Sequence, residues 1–183
     1  MSDNTLDARL ARVRIVAMDV DGIFTDGTIF YDSDGKVQKG FYAHDGLGFE
    51  LLRRAGILRG FITGRVDGST DARARYLMLD FYYPGAGDKS RAIAELSATY
   101  GIPVEEILWM GDDLNDYTAF ETAGITAAPS DATDPIKRIA DIVTAAPGGR
   151  GAVREVVDRI LRAKKIDPVA LWKTDKDTPM GKQ

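Results

Sequence analysis

Asp19 and Asp21 stand two residues apart in Asp19-Val20-Asp21-Gly22, directly behind the apolar run 13–18. A run of that length, rich in branched residues, reads as a buried strand. Both carboxylates then sit at the carboxyl end of a parallel strand, the end that opens onto the ligand crevice in α/β sheets. Strand alternation points them to one side, and like charges so close repel unless a cation or a proton lies between them. An ordinary acidic turn is the alternative that this tetrapeptide leaves open. Three more polar groups recur at the same kind of place. Ile62-Thr63-Gly64-Arg65 closes the apolar run 58–62, and Lys89 opens a helical pattern behind Gly87-Asp88. Gly111-Asp112-Asp113-Leu114-Asn115-Asp116 follows the run 107–110. A helix N-cap cluster would also explain these last carboxylates. Lys89 is harder to explain that way, because the helix dipole disfavours a cation at a helix start.

Strands alternating with helices must position these groups. The spacing predicts strands at 13–18, 58–63, 81–83, 107–110 and 125–128, with further strand material at 139–143. Helices are expected over 46–55, 69–79, 90–100, 115–123 and 152–163, with a short lead-in at 1–12. A β-hairpin is read at 28–42 around Asp32-Ser33-Asp34-Gly35. The fold class is α/β, a doubly wound parallel sheet of Rossmann type. Residues 1–163 form one domain, and 164–183 read as a loosely held charged tail that Leu171-Trp172 could anchor.

Composition narrows the chemistry. With no cysteine and one histidine, thiolate metal sites are ruled out and a histidine zinc site is disfavoured, so a metal would bind through oxygen. That favours magnesium or a similar hard cation. The net charge of −4 carries no footprint for nucleic acid. No run is long enough to span a membrane, and residues 1–12 lack the apolar stretch of a secretory signal, so a cytoplasmic protein is expected.

The ordered set Asp-x-Asp, Thr, Lys, Gly-Asp-Asp-x-x-Asp resembles the haloacid dehalogenase superfamily of aspartate-nucleophile phosphatases. Thr25-Asp26-Gly27, His44-Asp45-Gly46-Leu47-Gly48 and Gly148-Gly149-Arg150-Gly151-Ala152-Val153-Arg154-Glu155 extend the likeness to a branch of small sugar-acid phosphatases over residues 13–161. The resemblance implies Asp19 as nucleophile and Asp21 as acid and base, with Thr63, Gly64 and Lys89 on the phosphate. It implies Mg2+ on the carboxylates of Asp19 and Asp112 and the backbone carbonyl of Asp21, with Asp113 and Asp116 orienting them from behind. The implied substrate is an acidic sugar phosphate, 3-deoxy-D-manno-octulosonate 8-phosphate first, with a place in lipopolysaccharide biosynthesis. A nine-carbon sialic-type acid 9-phosphate and a non-catalytic sugar-phosphate-binding scaffold are the alternatives.

At the sugar end, His44 stands where these phosphatases usually carry arginine, and imidazole lacks arginine's bidentate grip on a carboxylate. Arg65 and Arg150 are further candidate substrate contacts, or plain surface charges. Many relatives close the site with a cap domain. Asp21 and Thr63 are 42 positions apart and Thr63 and Lys89 are 26 apart, too few for a further domain besides the elements already read there. A capless site stays open to water unless a neighbour covers it, and the apolar hairpin is either a subunit contact or packed on its own core. The resemblance implies a homotetramer with shared sites, assembled through the apolar hairpin of Ile29, Phe30, Tyr31, Phe41 and Tyr42.

Overall fold

The computed structural model describes residues 3–174. Six parallel strands form one sheet: β1 (Ile15–Met18), β4 (Leu58–Thr63), β5 (Phe81–Pro84), β6 (Ile107–Met110), β7 (Ile125–Ala128) and β8 (Ile142–Val143), in the order β5-β4-β1-β6-β7-β8. Strands β2 (Phe30–Tyr31) and β3 (Val37–Gln38) form a separate antiparallel hairpin, in register Phe30 to Gln38. Its turn is held by Asp32, whose Oδ1 accepts from the N–H groups of Asp34 and Lys36. The paired segments are shorter than expected.

Side-chain alternation along the buried strands feeds two cores. Val16 and Met18 face a layer with α2 (Ala43–Arg54), α3 (Gly68–Leu77) and α7 (Ala152–Ala163). Ile15 and Ala17 face the other, with α4 (Lys89–Tyr100), α5 (Tyr117–Thr122) and α6 (Asp134–Ile139). Helix α7 carries a clean apolar stripe, Val153, Val156, Val157, Ile160 and Leu161, all buried. A short helix α1 (Asp3–Leu10) precedes the sheet. The chain runs from β1 to one side through β4 and β5, then crosses to β6, β7 and β8. The carboxyl end of β1 is therefore the switch point where α/β sheets bind ligands.

Three expectations need correction. Strand material was expected over 139–143, but Asp134–Ile139 is helix α6 and only Ile142–Val143 pairs with β7. Pro135 sits in the first turn, where its missing N–H costs nothing and its fixed φ suits a helix. Helix α2 begins at Ala43 rather than residue 46, so His44 and Asp45 lie in its first turn, where a carboxylate is favoured. Pro168–Thr174 forms helix α8 rather than a loose tail. The Arg54 guanidinium lies 4.0 Å from the Trp172 ring centroid and donates to the Trp172 carbonyl, while Leu171 packs on the core. The rest of that expected tail, 175–183, lies outside the described residues.

Among the described residues no domain is inserted between β1 and β4 or between β4 and α4. The first interval holds the hairpin and α2, the second α3 and β5.

Candidate active site

Asp19 directly follows β1, with its N–H on the Met110 carbonyl. It continues the parity of Ile15 and Ala17, so its side chain meets the start of α4. There Lys89 is the first helical residue, behind the N-cap Asp88, which accepts from the Arg91 N–H. Lys89 Nζ donates to Asp19 Oδ2 at 2.6 Å and also to Asp116 Oδ1. Asp19 is 4% exposed, Lys89 2% and Asp116 0%. A lone buried charge would cost several kcal/mol, so this cation and its two carboxylates stand or fall together. Burial alone would lower the Lys89 pKa. Asp19 and Asp116 outweigh that, and it lies above the ordinary lysine value.

The loop after β6 brings the third carboxylate. Asp19, Asp112 and Asp116 place carboxylate oxygens within 4.8 Å of one another. Gly22 makes room, for at φ +80° a Cβ there would lie 2.1 Å from Asp112 Oδ2. Asp116 Oδ2 accepts from the Asp112 N–H at 2.9 Å, and its other oxygen is taken by Lys89. Asp113 caps the turn at 114–116 through the Leu114 N–H. Burial, then Asp116 and Asp19, push the Asp112 pKa up to about 8. Burial and Asp19 raise that of Asp116 to about 6, against the pull of Lys89. The cluster has more negative charge than one lysine offsets, and every donor in it is oxygen. It suits a hard divalent cation.

Around this floor opens a cleft of about 250 Å³, lined by Asp19, Asp21, Thr63, Gly64, Arg65, Asp112 and Asp113 among others. These come from the carboxyl ends of three adjacent strands, β4, β1 and β6. Thr63 is buried, and its Oγ1 accepts from the Arg65 N–H at 3.2 Å. Asp21 has Arg65 Nε 3.2 Å from Oδ2.

Two of the sequence-derived candidates lie apart from the cleft lining. His44 is exposed, its ring centroid 5.0 Å from that of Tyr42. Arg150 is exposed beside a separate hollow of about 120 Å³ with Asp26, Gly40, Phe41, Tyr42 and Gly149. Sequence reasoning missed two buried polar residues. Lys39 follows the hairpin and meets Asp21 with a side chain 0% exposed. Asp45 accepts from the N–H groups of Gly151 and Arg154 at 3.1 and 2.8 Å, capping α7 from another helix. Burial raises its pKa. For Asp45 a signal existed: Gly151 at the helix start cannot cap with a side chain.

The comparisons with known proteins agree with this geometry. The haloacid dehalogenase-like hydrolase family matches residues 75–155. A 3-deoxy-D-manno-octulosonate 8-phosphate phosphatase from Haemophilus influenzae is 34% identical over 87% of this chain and 88% of its own length. This chain belongs to the haloacid dehalogenase-like hydrolases. Another such hydrolase, the phosphatase of the same name from Yersinia pestis, is 38% identical over 85% of this chain and 83% of its own. The solved 3-deoxy-D-manno-octulosonate 8-phosphate phosphatase of Moraxella catarrhalis superimposes with a TM-score of 0.89 at 36% identity, covering 94% of this chain and 98% of that one. That hydrolase was solved with a magnesium ion, a phosphate ion and a KDO molecule. A cobalt-bound form from Haemophilus influenzae gives a TM-score of 0.84 at 34% identity, covering 86% of this chain and 92% of that one. No described helix of this hydrolase is long and apolar enough to cross a membrane.

Proposed function

We propose that this hydrolase is a magnesium-dependent phosphomonoesterase acting on 3-deoxy-D-manno-octulosonate 8-phosphate through an aspartyl-phosphate on Asp19. The observation that carries the reading is the Asp19–Lys89–Asp116 group under a cleft at the switch point, with Asp112 alongside. Phosphate monoesters hydrolyse extremely slowly unaided, so catalysis needs a positioned nucleophile and charge compensation. Asp19 is held for attack by two contacts, Lys89 on Oδ2 and the Val20 N–H on Oδ1 at 2.7 Å. Lys89 offsets the charge that Asp19 and the phosphate bring together. The Thr63 hydroxyl and Gly64 N–H would meet phosphate oxygens at the mouth of β4, where both residues line the cleft. Asp21 gives a proton to the sugar oxygen as it leaves, then takes one from water that attacks the aspartyl-phosphate.

Magnesium would be held by the carboxylates of Asp19 and Asp112 and the Asp21 carbonyl. It would lower the repulsion between nucleophile and phosphate. Asp116 would orient the site from behind, its Oδ1 on Lys89 and its Oδ2 on the N–H of Asp112. Asp113 supports the same loop.

For the sugar end the reading relies on a second copy of this chain. Phe30 and Tyr31 of the hairpin are 59% and 63% exposed, which suits burial in a homotetramer. His44, Arg65 and Arg150 would then meet the substrate's acid group from one subunit or its neighbour. A cytoplasmic location and a place in lipopolysaccharide biosynthesis follow from the same reading. A panel of 3-deoxy-D-manno-octulosonate 8-phosphate, a nine-carbon sialic-type acid 9-phosphate and hexose phosphates tests it by phosphate release. The eight-carbon acid should be preferred over hexose phosphates, which lack its carboxylate, by about tenfold or more, since a site built to pair a charged group penalises its absence. Preference for the nine-carbon acid would move the substrate. No release from any of them would leave a binding scaffold.

A further inference from the structure

Lys39 has no part in the steps above, yet its side chain is wholly buried beside the cleft. It directly follows β3 of the hairpin. Its Nζ lies 2.8 Å from Asp21 Oδ1 and 2.8 Å from Asp67 Oδ2, and donates to Thr70 Oγ1 at 3.1 Å. Asp67 is the N-cap of α3, accepting from the Thr70 N–H at 2.9 Å. Beside it Ser69 Oγ donates to the Val37 carbonyl at 2.7 Å. Hairpin, α3 and Asp21 are thus joined at one ammonium group. Burying a lysine is costly unless it is paired. Asp67 alone would pair it, so its reach to Asp21 calls for a separate reason.

That reach makes the two oxygens of Asp21 unlike. Oδ1 is turned inward to Lys39, near enough for coulombic attraction but off the line of a hydrogen bond. Oδ2 is turned to Arg65, whose side chain is 53% exposed at the rim. We propose that Lys39 is a positioning residue for proton transfer, holding Asp21 so that Oδ2 is the oxygen that serves both half-reactions. This rests on the phosphatase reading. In the first half, an Asp19 oxygen bonds to phosphorus, the bond from phosphorus to the sugar oxygen breaks, and the proton on Asp21 Oδ2 passes to that oxygen. In the second, water bonds to phosphorus, its proton passes to Asp21 Oδ2, and the bond from phosphorus to Asp19 breaks. Asp19 makes no contact with Lys39, so its attack is independent of the clamp. Because Lys39 belongs to the hairpin, the seating of the hairpin sets the aim of the acid–base group.

p-Nitrophenyl phosphate separates the two effects, since p-nitrophenolate leaves without a proton. In Lys39→Met, stopped-flow should show one equivalent of p-nitrophenol released within about twofold of the wild-type rate. Steady turnover should then fall about tenfold to a hundredfold, the scale of a misaligned acid–base group. Acid quench should trap the accumulated phosphate on Asp19. With a sugar phosphate, whose alkoxide needs the proton, the first turnover should slow by the same factor. Asp67→Asn keeps a cap acceptor for α3 but weakens the anchor, and should show the same split to a smaller degree. Equal slowing of burst and steady state in both variants would mean that Lys39 only supports the fold. Wild-type rates throughout would mean that it does nothing for Asp21. If wild type releases no phosphate from either substrate, the phosphatase reading fails, and that is seen before any variant is made.

Discussion

At the floor of the cleft, Asp19, Lys89 and Asp116 are each at most 4% exposed and tied together by direct ion pairs. At the rim, Arg65 is half exposed, Val66 is 72% and Leu114 62% exposed, and among the described residues Arg150 pairs only with the exposed Asp26 at 3.3 Å. The floor is preorganised by the chain's own sheet. Reorganising such a cluster during reaction would waste the electrostatic stabilisation it exists to supply. The rim has few fixed partners, and weak surface pairs add little rigidity. On the proposed function, the phosphate chemistry would be complete within the chain, and sugar recognition would be left to whatever closes over the rim.

Substitutions at the floor should have the largest effects. Asp19→Asn should reduce turnover by at least about a thousandfold while leaving the fold intact, because an amide of nearly the same shape is a poor nucleophile. Circular dichroism and phosphate release check both halves, and near-normal activity would remove Asp19 from its role. Lys89→Met should cost about 3–5 kcal/mol of stability, since it strands two buried carboxylates. Denaturant unfolding without metal checks this, and added magnesium should recover part of the loss. A change under 1 kcal/mol would show that the floor is not the coupled unit described.

A third test turns on Asp112, raised to about 8 by burial and its carboxylate neighbours. A carboxyl raised in the folded state favours the fold in its neutral form. That contribution is present below the ordinary carboxylate value near 4 and is lost as pH rises through about 8. Metal-free protein should lose thermal stability from pH 5 to 8, and Asp112→Asn should flatten the slope. The gain in Tm from magnesium should be larger at pH 8 than at pH 6, because the cation no longer competes with a proton. A gain that shrinks with pH would contradict the metal assignment.

At the rim, effects should be smaller and selective. Arg150→Ala should leave stability unchanged, as its pair with Asp26 is exposed. KM for sugar-acid phosphates should rise about fivefold, roughly 1 kcal/mol of lost recognition, while p-nitrophenyl phosphate is unaffected. Equal losses on both substrates would break the distinction between floor and rim.

The floor was legible in the sequence because its members sit where short local patterns end. Asp19 and Asp112 follow apolar strands, Thr63 ends one, and Lys89 opens a helix. Parallel strands then bring these ends together. The sheet and α7 were equally plain from periodicity. Lys39 was not, since nothing in a polar hairpin strand marks which lysine turns inward to a carboxylate far along the chain. Helix α6 was lost because Ile139, Ile142 and Val143 looked like one apolar strand, although Pro135 signalled a helix start. Helix α8 was lost because its stability lies in packing on α2, which charge-rich composition hides.

The division between a self-sufficient floor and a rim completed from outside the subunit is tested most directly by dilution. Turnover of 3-deoxy-D-manno-octulosonate 8-phosphate and of p-nitrophenyl phosphate should be followed on one preparation, with magnesium, from micromolar protein down through subunit dissociation, with mass monitored by light scattering. The account predicts that activity per subunit on the sugar acid falls about tenfold or more as the assembly comes apart. Activity on p-nitrophenyl phosphate should stay within about twofold. Parallel loss of both activities, or full sugar-acid activity in the monomer, would contradict it.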